Sequence, residues 1–348
     1  PDEWIKMSKS PAAADTNGLY QQFTAPAAAT GMAIGDFNGD GIPDVVTGSP
    51  SANYTAFGNG TGGLGGFTTY STGLGGGGAF SVAAGDLTGD GRPEIVSTSS
   101  VSGGYRILVN NGSGVFSSGP SFGTSGSPYG VTIGSINNDA FNDIVTGTGS
   151  GTLYIGYGNG ASNLLNAASV SVGGVLADVV IGDFNNDGRN DVAASDFGNN
   201  RAVILLNQGQ MPYPTFTTSF VTGLGSGTTS ITSGDFDGDG DLDLATISAS
   251  SNTLSILANN GSGTFVLATT TSTGGSGTGS YGIDRADMDR DGDLDLVVAV
   301  FSANAIRVFR NDGSMSFVAQ PLVTTGANLA DVAMADFNGD RQPDIARQ

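Results

Sequence analysis

The chain has no cysteine and no histidine among its 348 residues. Disulfides are therefore impossible, and cysteine usage says nothing about redox compartment. Zinc sites with imidazole or thiolate ligands cannot form, nor can a Ser–His or Cys–His nucleophile. Glutamate is almost missing, with only Glu3 and Glu94 present. No carboxylate pair suited to acid–base work on sugars stands apart from the acidic loops described below. Asp178, Asp284 and Asp331 lie outside those loops and read as capping or solvated groups. An enzyme is not the expected reading.

Positive charge is scarce too. Lys and Arg total 12 against 32 acidic residues, for a net charge of −20. Such a balance disfavours nucleic acid and anionic membrane surfaces as partners. No run of about 18 apolar residues occurs, so no bilayer-spanning helix and no direct membrane insertion are expected. The sequence opens at Pro-Asp-Glu with no basic, apolar leader. The expectation is that a signal peptide, if there is one, has been removed or lies outside this sequence.

What the chain does have is glycine, 58 residues of it, within a composition that is 38% apolar. No collagen period accompanies it, so the glycine points to many tight turns between short strands. One acidic nonapeptide recurs: DFNGDGIPD (36–44), DLTGDGRPE (86–94), SINNDAFND (135–143), DFNNDGRND (183–191), DFDGDGDLD (235–243), DMDRDGDLD (287–295) and DFNGDRQPD (336–344). Successive copies start 48 to 52 residues apart. A short apolar run enters each loop and a β-rich run leaves it, as in DVVTG or DLVVA. An alternating strand follows, such as YRILVN or AIRVFR, and runs into Asn-Gly or Asp-Gly and a phenylalanine, the strongest short hairpin signal. Four antiparallel strands in about 50 residues make one propeller blade. The expected fold is all-β, a single seven-bladed β-propeller spanning 1–348. The chain stops two strands into its seventh unit, and EWIKMS (3–8) with GLYQQFTA (18–25) has the length to supply the missing pair. Residues 1–30 are thus expected to give the outer strands of the blade completed by 329–348, because an open propeller would expose strand edges.

The pattern D-x-[DN]-x-D-G-x-x-D places oxygen around a hard cation, with glycine at position 6 for the sharp turn. Position 1 is Asp36, Asp86, Asp183, Asp235, Asp287 or Asp336, and position 3 is Asn38, Thr88, Asn137, Asn185, Asp237, Asp289 or Asn338. Position 5 is Asp40, Asp90, Asp139, Asp187, Asp239, Asp291 or Asp340, and position 9 is Asp44, Glu94, Asp143, Asp191, Asp243, Asp295 or Asp344. Position 7 would offer the carbonyls of Ile42, Arg92, Arg189, Asp241, Asp293 and Gln342. This is half of the EF-hand ligand scheme, and it suits Ca²⁺ better than the rigidly octahedral Mg²⁺. The seven windows hold 24 of the 32 acidic residues. Without cations each loop concentrates like charge, at about 1 kcal/mol per close pair even in water. Up to seven ions are expected. The third loop should be weak, since Ser135 and Ala140 replace its first aspartate and its glycine. The seventh puts Arg341 at position 6, which demands a positive φ.

These residues resemble the FG-GAP/VCBS repeats that build the seven-bladed propeller of integrin α subunits. Tyr129-Gly130 and Tyr281-Gly282 stand six residues before their loops, where the family has Phe-Gly, and Phe80-Ser81 takes the same place in the second unit. Thr47-Gly48-Ser49-Pro50 stands where the family has Gly-Ala-Pro. The resemblance covers the whole chain. It implies structural Ca²⁺ loops on one face and partners on the other, with Phe80, Tyr129 and Tyr281 on the rim; the alternative is that these aromatics fill space between blades. It also implies an extracellular or cell-surface adhesion module, and a monomer is expected. A protein or glycan ligand would meet the loops between second and third strands, which carry Asn53, Tyr54, Tyr105, Asp196, Asn199, Asn200, Phe301 and Asn304 in this reading. The other readings are a carbohydrate-binding lectin, a propeller domain acting on polysaccharides, and a purely structural propeller within a larger surface protein.

Overall fold

The last residue of each acidic nonapeptide opens a strand, and in six units that strand is buried at every position: Asp44–Gly48, Glu94–Ser99, Asp143–Thr148, Asp191–Asp196, Asp243–Ser248 and Asp295–Val300. A strand buried on both faces must be covered by neighbouring sheets. The computed structural model describes residues 30–49, 52–74, 81–161, 164–210, 213–275, 279, 281–325 and 329–347. It shows those sheets stacked face to face around a ring.

Each sheet is one blade, with its strands antiparallel and in chain order. The innermost strands are Gly31–Gly35, Val82–Gly85, Pro128–Gly134, Leu176–Gly182, Thr228–Gly234, Ile283–Ala286 and Val332–Ala335. Every one of these lies against the next, and the last lies against the first, so the ring closes. At the closure Met32 N–H donates to Asp331 Oδ2 (2.9 Å) and Gly62 N–H to the Phe337 carbonyl (3.1 Å). Blades one to five have four strands; the outer edge of the sixth is broken into Val318–Ala319 and Val323–Thr324, both paired with Ala305–Arg310. The seventh shows two strands, Val332–Ala335 and Asp344–Arg347. The segments expected to complete it, 3–8 and 18–25, lie outside the described residues.

The core sits between blades rather than within one sheet. The largest cluster joins Ile136, Val145, Leu153 and Ile155 of blade three to Leu176, Val192, Val203 and Leu205 of blade four. A second joins Phe184, Ala193 and Ile204 of blade four to Ile231, Leu244 and Leu257 of blade five. Among the described residues the one helical element is a three-residue turn, Phe301–Ala303, and no helix is long and apolar enough to cross a membrane.

Candidate metal centres

All seven acidic loops join an innermost strand to the second strand, so they share one face of the ring. Their curl comes from left-handed residues at positions 4 and 6. Gly39 and Gly41, Gly89 and Gly91, Asn186 and Gly188, Gly238 and Gly240, Arg290 and Gly292, and Gly339 and Arg341 all have positive φ. Arg341 does adopt the conformation expected of it, at φ 64. In the third loop only Asn138 is left-handed, and Ala140 is not. The need for a left-handed residue at position 4 was missed in the sequence, although Gly, Asn or Arg there signalled it.

The turn gathers amides onto the acidic side chains. In loop one Asp36 accepts the N–H groups of Gly39 (2.7 Å), Asp40 (3.1 Å) and Gly41 (2.8 Å). Position 1 does the same in loop seven, where Asp336 accepts from Gly339, Asp340 and Arg341. Position 5 accepts the N–H of position 7 in every loop, from Asp40 with Ile42 (2.8 Å) to Asp340 with Gln342 (2.8 Å). The third loop keeps this last bond through Asp139, but has no carboxylate at position 1.

The structure brings positions 1, 3 and 5 together. Asp235, Asp237 and Asp239 offer oxygens all within 4.8 Å of one another, as do Asp287, Asp289 and Asp291. Asp237 is held above the usual carboxylate range, first by burial and then by the charges of Asp239 and Asp235. Asp293 at position 7 is also raised, by desolvation and by four acidic neighbours. Three hard oxygens crowded in one turn fit a hard divalent cation. Loops one, four and seven have the same local bonds with Asn38, Asn185 and Asn338 at position 3, and loop two has Thr88 there.

Position 9 has a different place. Its carboxylate is buried under the loop and accepts backbone N–H groups. Asp243 takes one from Phe236 (2.9 Å) and one from Asn259 (2.8 Å), and Asp295 one from Met288 (3.0 Å) and one from Asn311 (2.8 Å). Burial raises Asp44, Asp191, Asp243, Asp295 and Asp344 to about 6, against partial relief from those N–H groups. Glu94 and Asp143 move the same way for the same reason.

Sequence reasoning missed the buried asparagine that ends the third strand. Asn259 Nδ2 donates to the Leu242 carbonyl of its own loop (2.9 Å) and to the Phe184 carbonyl of the preceding blade's loop (2.8 Å). Asn110 and Asn207 repeat the pair on Pro93 and Phe37, and on Asn190 and Ile136. Asn311 reaches Phe236 in the same way. The position-2 ring completes the junction: Phe37, Phe184 and Phe236 stack edge-on against Phe116, Phe265 and Phe317 of the following blade, at 5.5 to 5.7 Å. Each loop is thus a node between two blades, and the Asn ahead of the Gly turn was its signal.

On the axis, Asp178, Asp284 and Asp331 are not solvated caps. Each reaches one blade forward to an innermost-strand N–H: Asp178 to Ile231 (3.1 Å), Asp284 to Met334 (2.8 Å) and Asp331 to Met32 (2.9 Å). Burial raises all three, Asp331 to about 7, with the charges of Asp178 and Asp284 adding to it. A side chain on Gly130 would strike Asp178, and one on Gly282 would strike Asp331. The glycine of each aromatic–glycine pair is what lets the next blade come that close.

The opposite face corrects part of the expected ligand surface. Asn53, Tyr54, Tyr105 and Asp196 are buried in strands, because the turns there are too short to include them. Asn199, Asn200 and Asn304 are exposed and Phe301 is half-buried. Tyr281 is 40% exposed and stacks on Phe301. Tyr129 is half-buried over Gly149, and Phe80 lies outside the described residues.

Comparison with known proteins follows the same repeat. The model of the FG-GAP-like repeat matches residues 36–97, 86–146, 183–246, 235–298 and 287–346. The chain belongs to the FG-GAP-like repeat family. No FG-GAP-like match begins at the third loop, the one lacking its first aspartate. A search of the curated proteins finds no match. Among solved structures, the FG-GAP-like propeller is similar to an Agrocybe aegerita lectin that recognises non-reducing terminal N-acetylglucosamine, at 19% identity and a TM-score of 0.60, covering 90% of this chain and 84% of that one. It is also similar to a protein from Lactobacillus plantarum at 14% identity and a TM-score of 0.66, covering 93% and 96%. A functionally unknown protein from Desulfotomaculum acetoxidans matches at 15% identity and a TM-score of 0.63, covering 96% and 93%. At these identities the likeness concerns the fold.

Proposed function

We propose that this FG-GAP-like propeller is a non-catalytic, calcium-binding adhesion module that works outside the cell. Its Ca²⁺ loops stabilise the blades, and its opposite face binds a protein or glycan. The observation that carries the reading is the pair of carboxylate triads in loops five and six, on the face where the other acidic loops also lie. Positions 1, 3 and 5 would hold the ion, with the position-7 carbonyl. The ion would offset the turn's excess of negative charge. Position 9 supports the same reading from beneath, by fixing the loop through backbone bonds.

A glycan ligand draws support from the lectin among the structural neighbours, so terminal N-acetylglucosamine is the first sugar to test. The face opposite the acidic loops carries Tyr281, Phe301 and Asn304 on blade six and Asn199 on blade four, and such aromatic and amide groups suit sugar or polar protein contacts. A glycan array run beside a pull-down from surface proteins tests the choice. Saturable sugar binding that Tyr281→Ala weakens supports a lectin. Turnover of a polysaccharide that survives chelation would contradict the non-catalytic reading.

A further inference from the structure

Loops five and six carry aspartate at the same five positions, and both present their triad within 4.8 Å. They differ in what stands beside it. The third strand of blade six ends in Arg310, whose Nε pairs with Asp289 Oδ2 and whose Nη2 lies 3.5 Å from Asp291 Oδ2. Asp289 keeps only 3% of its side-chain surface under this guanidinium, while Arg310 remains 49% exposed. Strand register places Ala258 at the matching position of blade five. In blades one to four the matching residues are Phe57, Val109, Tyr157 and Leu206. Arg310 is thus the one charged residue there among the six blades whose third strand is described. Arg92 and Arg189, by contrast, sit at position 7 of their own loops and each pairs with a single carboxylate, Asp90 and Asp187.

We infer that Arg310 is a tethered cation that competes with calcium for loop six, so that this loop binds the ion more weakly than its acidic twin in blade five. The inference rests on the calcium reading above. The guanidinium already supplies charge where the ion would sit, on two of the three triad carboxylates. An entering ion must displace it, and Arg310, being half-exposed on an unbranched stem, has room to swing out. The same contact relieves the triad's self-repulsion in metal-free protein. Loop six is then folded at calcium levels where loop five is not yet filled.

The test uses crystals of the full chain equilibrated with graded terbium, a calcium stand-in whose anomalous peak reports each loop separately. In the wild type, loop five should fill before loop six. In Arg310→Ala and Arg310→Gln, half-occupancy of loop six should move to about three- to tenfold lower terbium, the size of two partly screened ion pairs. Loop five should not move. Arg307→Ala is the control, since it removes a charge from the same strand at a residue that lies beside Gly274, away from the loop. In solution with chelator, Arg310→Ala should melt lower than wild type, yet gain more from added calcium. Equal filling of the two loops in the wild type, or a loop six indifferent to both substitutions while loop five fills, overturns the inference and leaves the calcium reading standing. Terbium in none of the loops overturns both.

Discussion

Asn259 makes one amide serve two blades. Its Nδ2 satisfies the carbonyls of Leu242 and Phe184, and its own N–H is held by Asp243. Asn259→Ala strands those two carbonyls and should cost about 2–3 kcal/mol, since unmet buried acceptors carry their full desolvation penalty. Asn260→Ala, one residue on in the exposed turn, should cost under about 1 kcal/mol. Urea midpoints of the two variants check the contrast. Asp331 gives a residue-scale pH signature. Burial pushes its folded pKa to about 7 from an ordinary carboxylate's 3.8, so the folded chain binds this proton more tightly than the unfolded chain does. Its contribution to stability is therefore fully present at low pH and is lost as pH rises through about 7. Asp331→Asn should flatten the decline in metal-free stability between pH 5 and 8, read from thermal melts. An unchanged slope would show that the charge of Asp331 does not matter at the ring closure.

The loop is the element that the sequence shows best, and its seven versions are a built-in mutation series. Loop five has the full triad, whereas loop three has Ser135 at position 1 and lacks the left-handed residue at position 6. Asp239→Asn should therefore remove part of the calcium-dependent rise in melting temperature, while Asp139→Asn should leave that rise unchanged. Equal effects would mean that the loops are not graded by their acids. Much of this element was legible because ligand spacing is local: positions 1, 3 and 5 converge by the turn's own geometry. The blade likewise follows from alternation and Asn-Gly turns. What the sequence hid is non-local. Asn207 and Asn259 look like turn residues, and only the stacking of blades turns their amides toward a carbonyl 71 or 75 residues away. Asp178, Asp284 and Asp331 look like solvated strand caps until ring closure brings the next innermost strand against them. Tyr54 and Tyr105 read as loop aromatics because strand ends are hard to place to within two residues, and both are buried.

At the scale of the whole molecule, a ring of blades holds together by junctions, and here each junction runs through an acidic loop. Phe184 shows the arrangement. Its N–H is bound by its own blade, its carbonyl by Asn259, and its ring by Phe265. Five position-9 carboxyls near pKa 6 lie beneath these loops. Their sign is that of Asp331, so metal-free protein should lose stability as pH rises through about 6, whereas calcium, which favours the ionised loop, should flatten or reverse that trend. The central claim is that cations in the loops brace the ring. The most direct measurement is the melting temperature of the full chain at pH 7.5 in excess chelator and then in millimolar calcium. An ion bound only by the folded state adds about 2.7 kcal/mol at a hundredfold excess over its Kd for each site, so calcium should raise the melt by many degrees, and more with concentration. Superimposable melts in chelator and in calcium would contradict the account.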